Sequence, residues 1–482
     1  MKDIILSIIS NPIVFSLSAL MVLAYSLLLF LMVRRKEYLS GIAENMAIRF
    51  FLLCQSQLML TPFTHWGTAF LVVPPQNMPI AYSQVLIWAY FILVFFPKIK
   101  NFWVNEFKFS FSKSFLTNPF IWMLPPLAAL SCFWSDTPFV ALKGGLILLA
   151  INIFSLYIST QFEWMDISSF FRWNITVIAL LSLVIRRVSN VSATGDGGGL
   201  AGVLPAKNIL GSLMVLGIIL WMIHFFERKK NRVLSMFMIL LCFSFLVQAN
   251  SAGAYLTLIV LMAITLSGML LKKFEFRSVA ILTSLLFLLT ILISLFVGLN
   301  LESFLGFFGK DLTFTGRNEI WSVIIDAASQ KPWTGYGAFS FWQPWRGAEN
   351  PALDFWNFSD YWIPPSAHQG FLDVLLQLGF VGLVFVIFGL GLTLLQSMNF
   401  FFRQQGALAL FPLTVVFHQL IANLAETFFI KPNIFWISFT MVAIKLSIYS
   451  HQSSILNVKT TRAEEVHPVS QLTYSSKDSS IR

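Results

Sequence analysis

Charge is scarce in this sequence: Asp, Glu, Lys and Arg make up 11% of the 482 residues, against 57% hydrophobic ones. A soluble domain cannot carry that balance, because its surface would be too poor in polar groups to stay in water. Cysteine is rarer still. Cys54, Cys132 and Cys242 all lie in or beside apolar stretches, where a thiol behaves as a small buried hydrophobe, so neither a disulfide framework nor a thiolate metal cluster is expected. Nucleotide-handling signatures are missing too. There is no Asp-x-Asp of the kind that holds a metal and a nucleotide sugar and no GxxxxGK[ST] phosphate loop, which disfavours chemistry driven by cytoplasmic nucleotides. The formal charge of +10 does not call for nucleic acid, since most Lys and Arg fall in short segments between apolar runs, as the positive-inside rule requires.

What is abundant is long apolar sequence. Pro12 to Val33 and Val279 to Val297 each have the roughly 20 residues that a helix needs to cross a hydrocarbon core. In lipid every backbone amide must be satisfied within the segment, so repeated runs of this length mean helices and not an alternating barrel pattern. The first run is long for a signal peptide and no small-residue cleavage site follows it, so it reads as a retained span. Candidate spans are 11–33, 48–72, 78–97, 118–134, 138–160, 166–188, 204–226, 233–250, 253–271, 278–299, 370–396, 406–426 and 430–450. The fold class is therefore an all-α polytopic integral membrane protein with about 12 or 13 crossings. Its expected parts are a helical region (1–299), a large extracytoplasmic loop (300–369), the last spans (370–450) and a Ser-rich disordered cytoplasmic tail (451–482).

Basic loops set the sidedness. Arg34-Arg35-Lys36, the 98–113 loop, Arg228-Lys229-Lys230 with Arg232, and Lys272-Lys273 with Arg277 are expected on the cytoplasmic side. Alternation then puts 134–138, the Gly-rich 195–205 stretch, 300–369 and 423–431 outside; Arg186-Arg187 falls there against the rule. The 300–369 segment carries six Trp among many Phe and Tyr, and a long aromatic loop of that kind is usually functional.

Three outer clusters combine polar residues with glycine: Gly197 to Gly211, Thr313 to Trp342, and Pro364 to Gly379. Thr315 can cap a helix that puts Arg317 and Trp321 on one face. These residue types suit transfer of a glycan from a polyprenyl diphosphate. The leaving group is already good, so the protein must neutralise its growing charge and position the acceptor. Arg offers a planar fork for phosphate oxygens and Lys a mobile point charge. A neutral imidazole, here His368, can take the proton of an acceptor hydroxyl. Trp321, Trp333, Tyr336 and Trp342 can stack on sugar rings. Singly, each has a plainer reading: Lys207 snorkelling at the membrane edge, the Trp residues forming an interfacial belt, Arg317 pairing with Glu319, His368 satisfied in a loop. Grouped on one side, they favour chemistry.

At these residues the sequence resembles the O-antigen ligase and polymerase superfamily. The motifs are Thr315-Gly316-Arg317 with Ile320-Trp321, Pro332-Trp333-x-Gly335-Tyr336-Gly337 with Phe341-Trp342, and Ala367-His368-x-Gly370-x-Leu372-Asp373 with Leu375-x-Gln377-Leu378-Gly379. Trp134-Ser135 with Pro138, Lys207-Asn208-x-x-Gly211 and Asn423-x-x-Glu426 also match its exopolysaccharide-production branch. The resemblance implies an inverting, metal-independent glycosyltransferase that needs no cofactor. It would sit in the bacterial inner membrane and take its donor, an undecaprenyl-pyrophosphate-linked glycan, at the periplasmic face. The acceptor would be a sugar or lipid A core, and the surroundings would supply membrane lipid, a flippase and a chain-length regulator. Arg317 and His368 match positions that serve diphosphate binding and acceptor activation. A second arginine of the ligases, after a Ser late in a middle span, is replaced by Ser251-Ala252, which tilts the reading from ligase to repeat-unit polymerase. Lys207 or Arg346 would then supply the second cation, with Asn208, Glu349 and Glu426 as supports for His368 or the acceptor. A transporter of the same lipid-linked sugar is the reading from another class. Transporters usually bury ionisable groups near the bilayer midplane and show inverted repeats, whereas the spans here read as nearly uncharged and unrepeated.

Overall fold

The computed structural model describes residues 37–56, 98–188, 194–195, 199–272, 317–343 and 366–465. The predicted spans 11–33, 78–97 and 278–299 and most of 48–72 lie outside these residues, as do Thr315, Arg346 and Glu349. Among the described residues the architecture is helical, with one two-residue ladder, β1 (Thr194–Gly195) against β2 (Gly199–Leu200). Seven described helices are long and apolar enough to cross a membrane, or up to eight if a bent pair counts as one. The chain is a multi-pass membrane protein.

The helices are α1 (Glu37–Cys54), α2 (Lys98–Thr117), α3 (Pro119–Leu130), α4 (Pro138–Gln161), α5 (Trp164–Val188), α6 (Lys207–Glu227), α7 (Arg232–Ala249), α8 (Ala252–Leu271), α9 (Arg317–Gln330), α10 (Gly370–Arg403), α11 (Phe411–Ala422) and α12 (Ile434–Glu465). α6 is the most deeply buried of the spans and packs against α5, α7, α8 and α11, while α12 lies against α2, α4 and α10. Trp221, Trp436, Phe170, Phe171 and Phe435 fill the centre. On α7 and α8 the large residues Leu240, Phe243, Leu256 and Ile259 stay exposed, as lipid-facing side chains should.

Four expectations need correction. The basic 98–113 segment is no loop: α2 is helical from Lys98, passes through a π-turn at Trp103–Phe107, and meets α3 at a 100° bend. Pro119 causes the break, since a proline bars helical geometry at the residue before it; Asn118 there is extended, with φ −149°. A helix starts at Glu37, not at 48, because Ala43, Ala47, Phe51 and Leu52 repeat at helical spacing and are buried. Glu44 of that helix pairs with Lys98 and accepts from Tyr157. The 406–426 region forms a 3-10 turn (Ala407–Leu410) and the short α11, together below the length of a full span. The backbone of α12 continues to Glu465, into the tail expected to be disordered.

Helix ends divide by charge. At one end Lys272 Nζ donates to the carbonyls of Phe401 and Gln404 at the close of α10, Lys445 Nζ donates to Ser159 O and Phe162 O at the close of α4, and Glu227 accepts from Leu408 N at 3.0 Å. The lysine contacts satisfy carbonyls, and the Glu227 contact an amide, that helix termini leave open. The basic Arg228-Lys229-Lys230 turn lies at this end. Asn208, His368 and Glu426 lie at the other, about 30 Å away along α6 at ~1.5 Å per residue. The interior is not free of charge: Arg172 of α5 is only 5% exposed.

Candidate functional site

The site is built where α10 begins. Ala367-His368-Gln369 leads into Gly370, with the Gln369 side chain capping the helix by accepting from Leu372 N at 2.5 Å. Gly370 N donates to Asn423 O at 2.7 Å, and a Cβ on Gly370 would sit 2.1 Å from Asn423 Oδ1. Only glycine lets the 423–433 turn approach so closely, which explains the glycine of the AH.G motif. Asn423 holds that turn through its own side chain, accepting from Phe428 N at 2.8 Å and Phe429 N at 3.0 Å.

This docking brings together groups that are far apart in sequence. His368, strained at φ +50°, sets its Nδ1 3.4 Å from Glu426 Oε2. Glu426 Oε1 accepts from Asn208 Nδ2 at 2.7 Å, across from the first turn of α6. A non-glycine residue at positive φ is held there only by its surroundings, and such strain clusters at functional sites. The 3.4 Å separation is long for a hydrogen bond and leaves room to tighten. His368 and Glu426 side chains remain 24% and 14% accessible, so the imidazole is oriented yet reachable.

A buried carboxylate lies beneath. Asp373, fully buried in the first turn of α10, accepts from Trp342 Nε1 at 2.7 Å and Ala367 N at 3.2 Å on one oxygen, and from Gln377 Nε2 at 2.6 Å on the other. It fixes the residue before His368. Lys431, one turn of chain beyond Glu426, was not among the expected site residues. Burial pushes its ammonium below the usual lysine range, opposed by the charges of Asp373 and Glu426. A signal for it was present, because a lysine at the start of a span on the expected outer side runs against the positive-inside rule.

The PW.GYG run is a clamp. Tyr336 N and Gly337 N donate to Leu376 O and Gln377 O at 3.0 and 2.9 Å, and Phe380 N donates to Pro332 O at 2.8 Å. Those carbonyls and amides are free because α10 breaks at Gly379 (φ 63°, ψ −165°), where a Cβ would stand 2.2 Å from the backbone carbon of Trp333. Trp134 and Thr137 bind the same turn, to Thr334 O at 3.0 Å and Ser340 Oγ at 2.8 Å. α9 joins through a second small core of Ile324, Ala327, Tyr336, Phe341 and Leu376.

The aromatic expectations divide accordingly. Tyr336 is 3% exposed and its hydroxyl donates to Ala327 O at 3.0 Å, so it is a core residue that no sugar ring reaches. Trp321 and Trp342 are partly buried with their indole N–H groups turned inward, to Ala367 O at 3.0 Å and to Asp373. Trp333 differs: it is 70% exposed, with its ring 5.9 Å from that of Phe380. Arg317 is the first residue of α9, and its side chain lies outside the described residues. Lys207 opens α6 and its stem passes Gly199, whose Cβ would meet Lys207 Cδ at 2.7 Å. Among the described residues no three His, Cys, Asp or Glu side chains are grouped to hold a metal.

Comparison with known proteins bears on the same segment. Residues 237–387 match the family model described as O-Antigen ligase, a range that takes in α9, the clamp, His368 and the break in α10. Over 90 residues the chain is 32% identical to the exopolysaccharide production protein ExoQ of Rhizobium meliloti (strain 1021). That stretch is 18% of this chain and spans only 19% of the relative's length. Family model and relative both support the O-antigen ligase and polymerase superfamily, the one the motifs resemble.

Proposed function

We propose that the protein is a membrane glycosyltransferase that joins a glycan from undecaprenyl pyrophosphate to a sugar hydroxyl at the periplasmic face of the bacterial inner membrane. The observation that carries this reading is the Asn208–Glu426–His368 chain at the mouth of α10. Asn208 holds Glu426, and Glu426 fixes the imidazole with Nδ1 protonated, leaving Nε2 as the base. Nε2 takes the proton of the acceptor hydroxyl as that oxygen attacks the anomeric carbon. The bond to the diphosphate oxygen breaks, inverting the anomeric centre, and the electron pair leaves on the diphosphate. Its charge falls to Arg317 and to Lys207 or Arg346, with Lys431, whose ammonium feels the charges of Glu426 and Asp373, as a further cation of the same end. Trp333 is the exposed ring that remains for a sugar face.

Polymerase is favoured over ligase by the missing arginine at Ser251-Ala252, and the relative named for exopolysaccharide production is in keeping with it; the O-Antigen ligase description keeps transfer to lipid A core as the alternative. Arg317→Ala and His368→Ala should each abolish glycan extension by purified protein given lipid-linked repeat units alone, with membrane insertion unchanged. Undiminished chain length in either variant would remove that residue from the mechanism. Product that forms only when lipid A core is added would make the protein a ligase.

A further inference from the structure

A second polar cluster lies at the opposite end of the bundle, and the chemistry above makes no use of it. α5 carries Ser168, Ser169 and Arg172 in its first turns. Arg172 sets its guanidinium 4.8 Å over the ring of Trp221, fourteen residues along α6 from Lys207 and so about 20 Å from the His368 end. Its Nε has no hydrogen-bond partner among the described residues, and neither has Ser168 Oγ, one turn earlier on the same face. Arg49 of α1 reaches the same turn: Nη1 donates to Ser169 O at 3.3 Å and Nη2 to Ser169 Oγ at 3.1 Å, with Phe170 beneath at 5.2 Å. Both guanidinium groups gather about one stretch of α5, Arg172 as a member of it and Arg49 through its two bonds to Ser169. Asp166 attracts Arg49 from a distance, but neither arginine forms an ion pair among the described residues. His224, next along α6, is engaged with Ser235 at 2.8 Å and brings no negative charge.

Two like charges against apolar rings, with a buried donor left over on each of two neighbouring side chains, are costly unless an anion completes them. A tetrahedral oxyanion has the matching chemistry, because a guanidinium fork complements two of its oxygens and a hydroxyl can serve a third. We infer that Arg49, Arg172 and Ser168 form a binding site for a phosphate group of net negative charge, remote from the transfer site. That group is either the headgroup of an anionic phospholipid entering from the membrane face or free phosphate.

The test uses the purified full-length chain in detergent. Phosphatidylglycerol or phosphatidylcholine is titrated and bound lipid counted by native mass spectrometry, and thermal unfolding is followed with and without inorganic phosphate. Preferential retention of phosphatidylglycerol, reduced about tenfold in Arg172→Gln and less in Arg172→Lys, supports a lipid headgroup; tenfold is the loss of about one charge-assisted contact. Protection by inorganic phosphate without lipid preference, lost in the same variant, supports a free anion. Arg49→Gln carries the test if Arg172→Gln does not fold. Equal retention of the two lipids together with no phosphate protection, or binding unchanged in both Gln variants, overturns the site.

Discussion

Replacing Glu426 by Gln probes the proposed chemistry most directly. The substitution keeps an oxygen for Asn208 and nearly the same volume, and removes only the charge beside the imidazole. At 3.4 Å a full carboxylate–imidazolium attraction is about 1 kcal/mol in water and about 5 kcal/mol at an effective dielectric of 20. Both side chains are mostly but not wholly shielded, so the loss should fall between those limits, at roughly 2–4 kcal/mol in the transition state, where the imidazole gains its proton. This corresponds to a rate lowered by about 30-fold to 1,000-fold, which overlaps the lower part of the roughly 100-fold to 10,000-fold that general-base catalysis supplies. The assay is single-turnover extension of lipid-linked repeat units, read by gel mobility, for the wild type, Glu426→Gln, His368→Ala and the double variant. Because Glu426 acts through His368, the double variant should be no slower than His368→Ala alone. A wild-type rate in Glu426→Gln, or fully additive losses in the double variant, would refute the arrangement.

Other substitutions separate chemistry from scaffold. Lys431 has its proton affinity lowered mainly by burial, so its charge should be lost below the usual lysine range near 10.4. Donor affinity should fall as pH rises through that lowered value, and Lys431→Arg should carry the fall to higher pH. Folding responds with the opposite sign. The folded state binds fewer protons than the unfolded one between the lowered value and the ordinary one, so stability should rise with pH across that window, measurable by thermal unfolding. Gly379→Ala places a Cβ 2.2 Å from backbone at φ 63° and should cost at least ~1–2 kcal/mol, seen as a lower unfolding temperature. Trp333→Ala should raise the apparent KM for donor or acceptor with unfolding unchanged, whereas Tyr336→Phe should cost about 1 kcal/mol of stability and leave the KM alone.

Much of this was legible in the sequence because lipid imposes a simple rule. The spans at 138–160, 204–226, 233–250 and 253–271 fall within a few residues of α4, α6, α7 and α8, since an apolar run of the right length has one stable state in a membrane. Where charge and apolar residues alternate, hydropathy fails. α2 and α1 were hidden because Lys98, Lys108, Lys113 and Glu44 lower the average; α1 still buries apolar residues at the right period, whereas α2 buries Ser110, Lys113 and Ser114 along with Phe102. Arg172 was missed for the converse reason, one guanidinium being lost in an apolar window. Asn208, Glu426 and His368 were each visible as residues, but nothing in their spacing says that they meet. The meeting depends on Asn423 bridging α11 to Gly370, which is tertiary information.

The clamp also shows why a motif is a poor guide to which of its members touch substrate. Pro332, Tyr336 and Gly337 meet α10 through backbone groups and a buried hydroxyl, so their spacing is dictated by the shape of a helix broken at Gly379, not by a sugar. Trp342 and Trp321 use indole N–H groups on either side of Ala367, one through Asp373 and one directly. The two indoles fix the peptide before His368, while Pro332, Tyr336 and Gly337 anchor the broken stretch of α10 that follows it. That peptide must be fixed, because His368 sits at a positive φ that its own side chain disfavours. Relaxation toward the ordinary helical region would swing the imidazole away from Glu426. On this argument, loosening the clamp without unfolding the bundle should weaken the coupling between His368 and Glu426 before it alters binding of the lipid-linked donor.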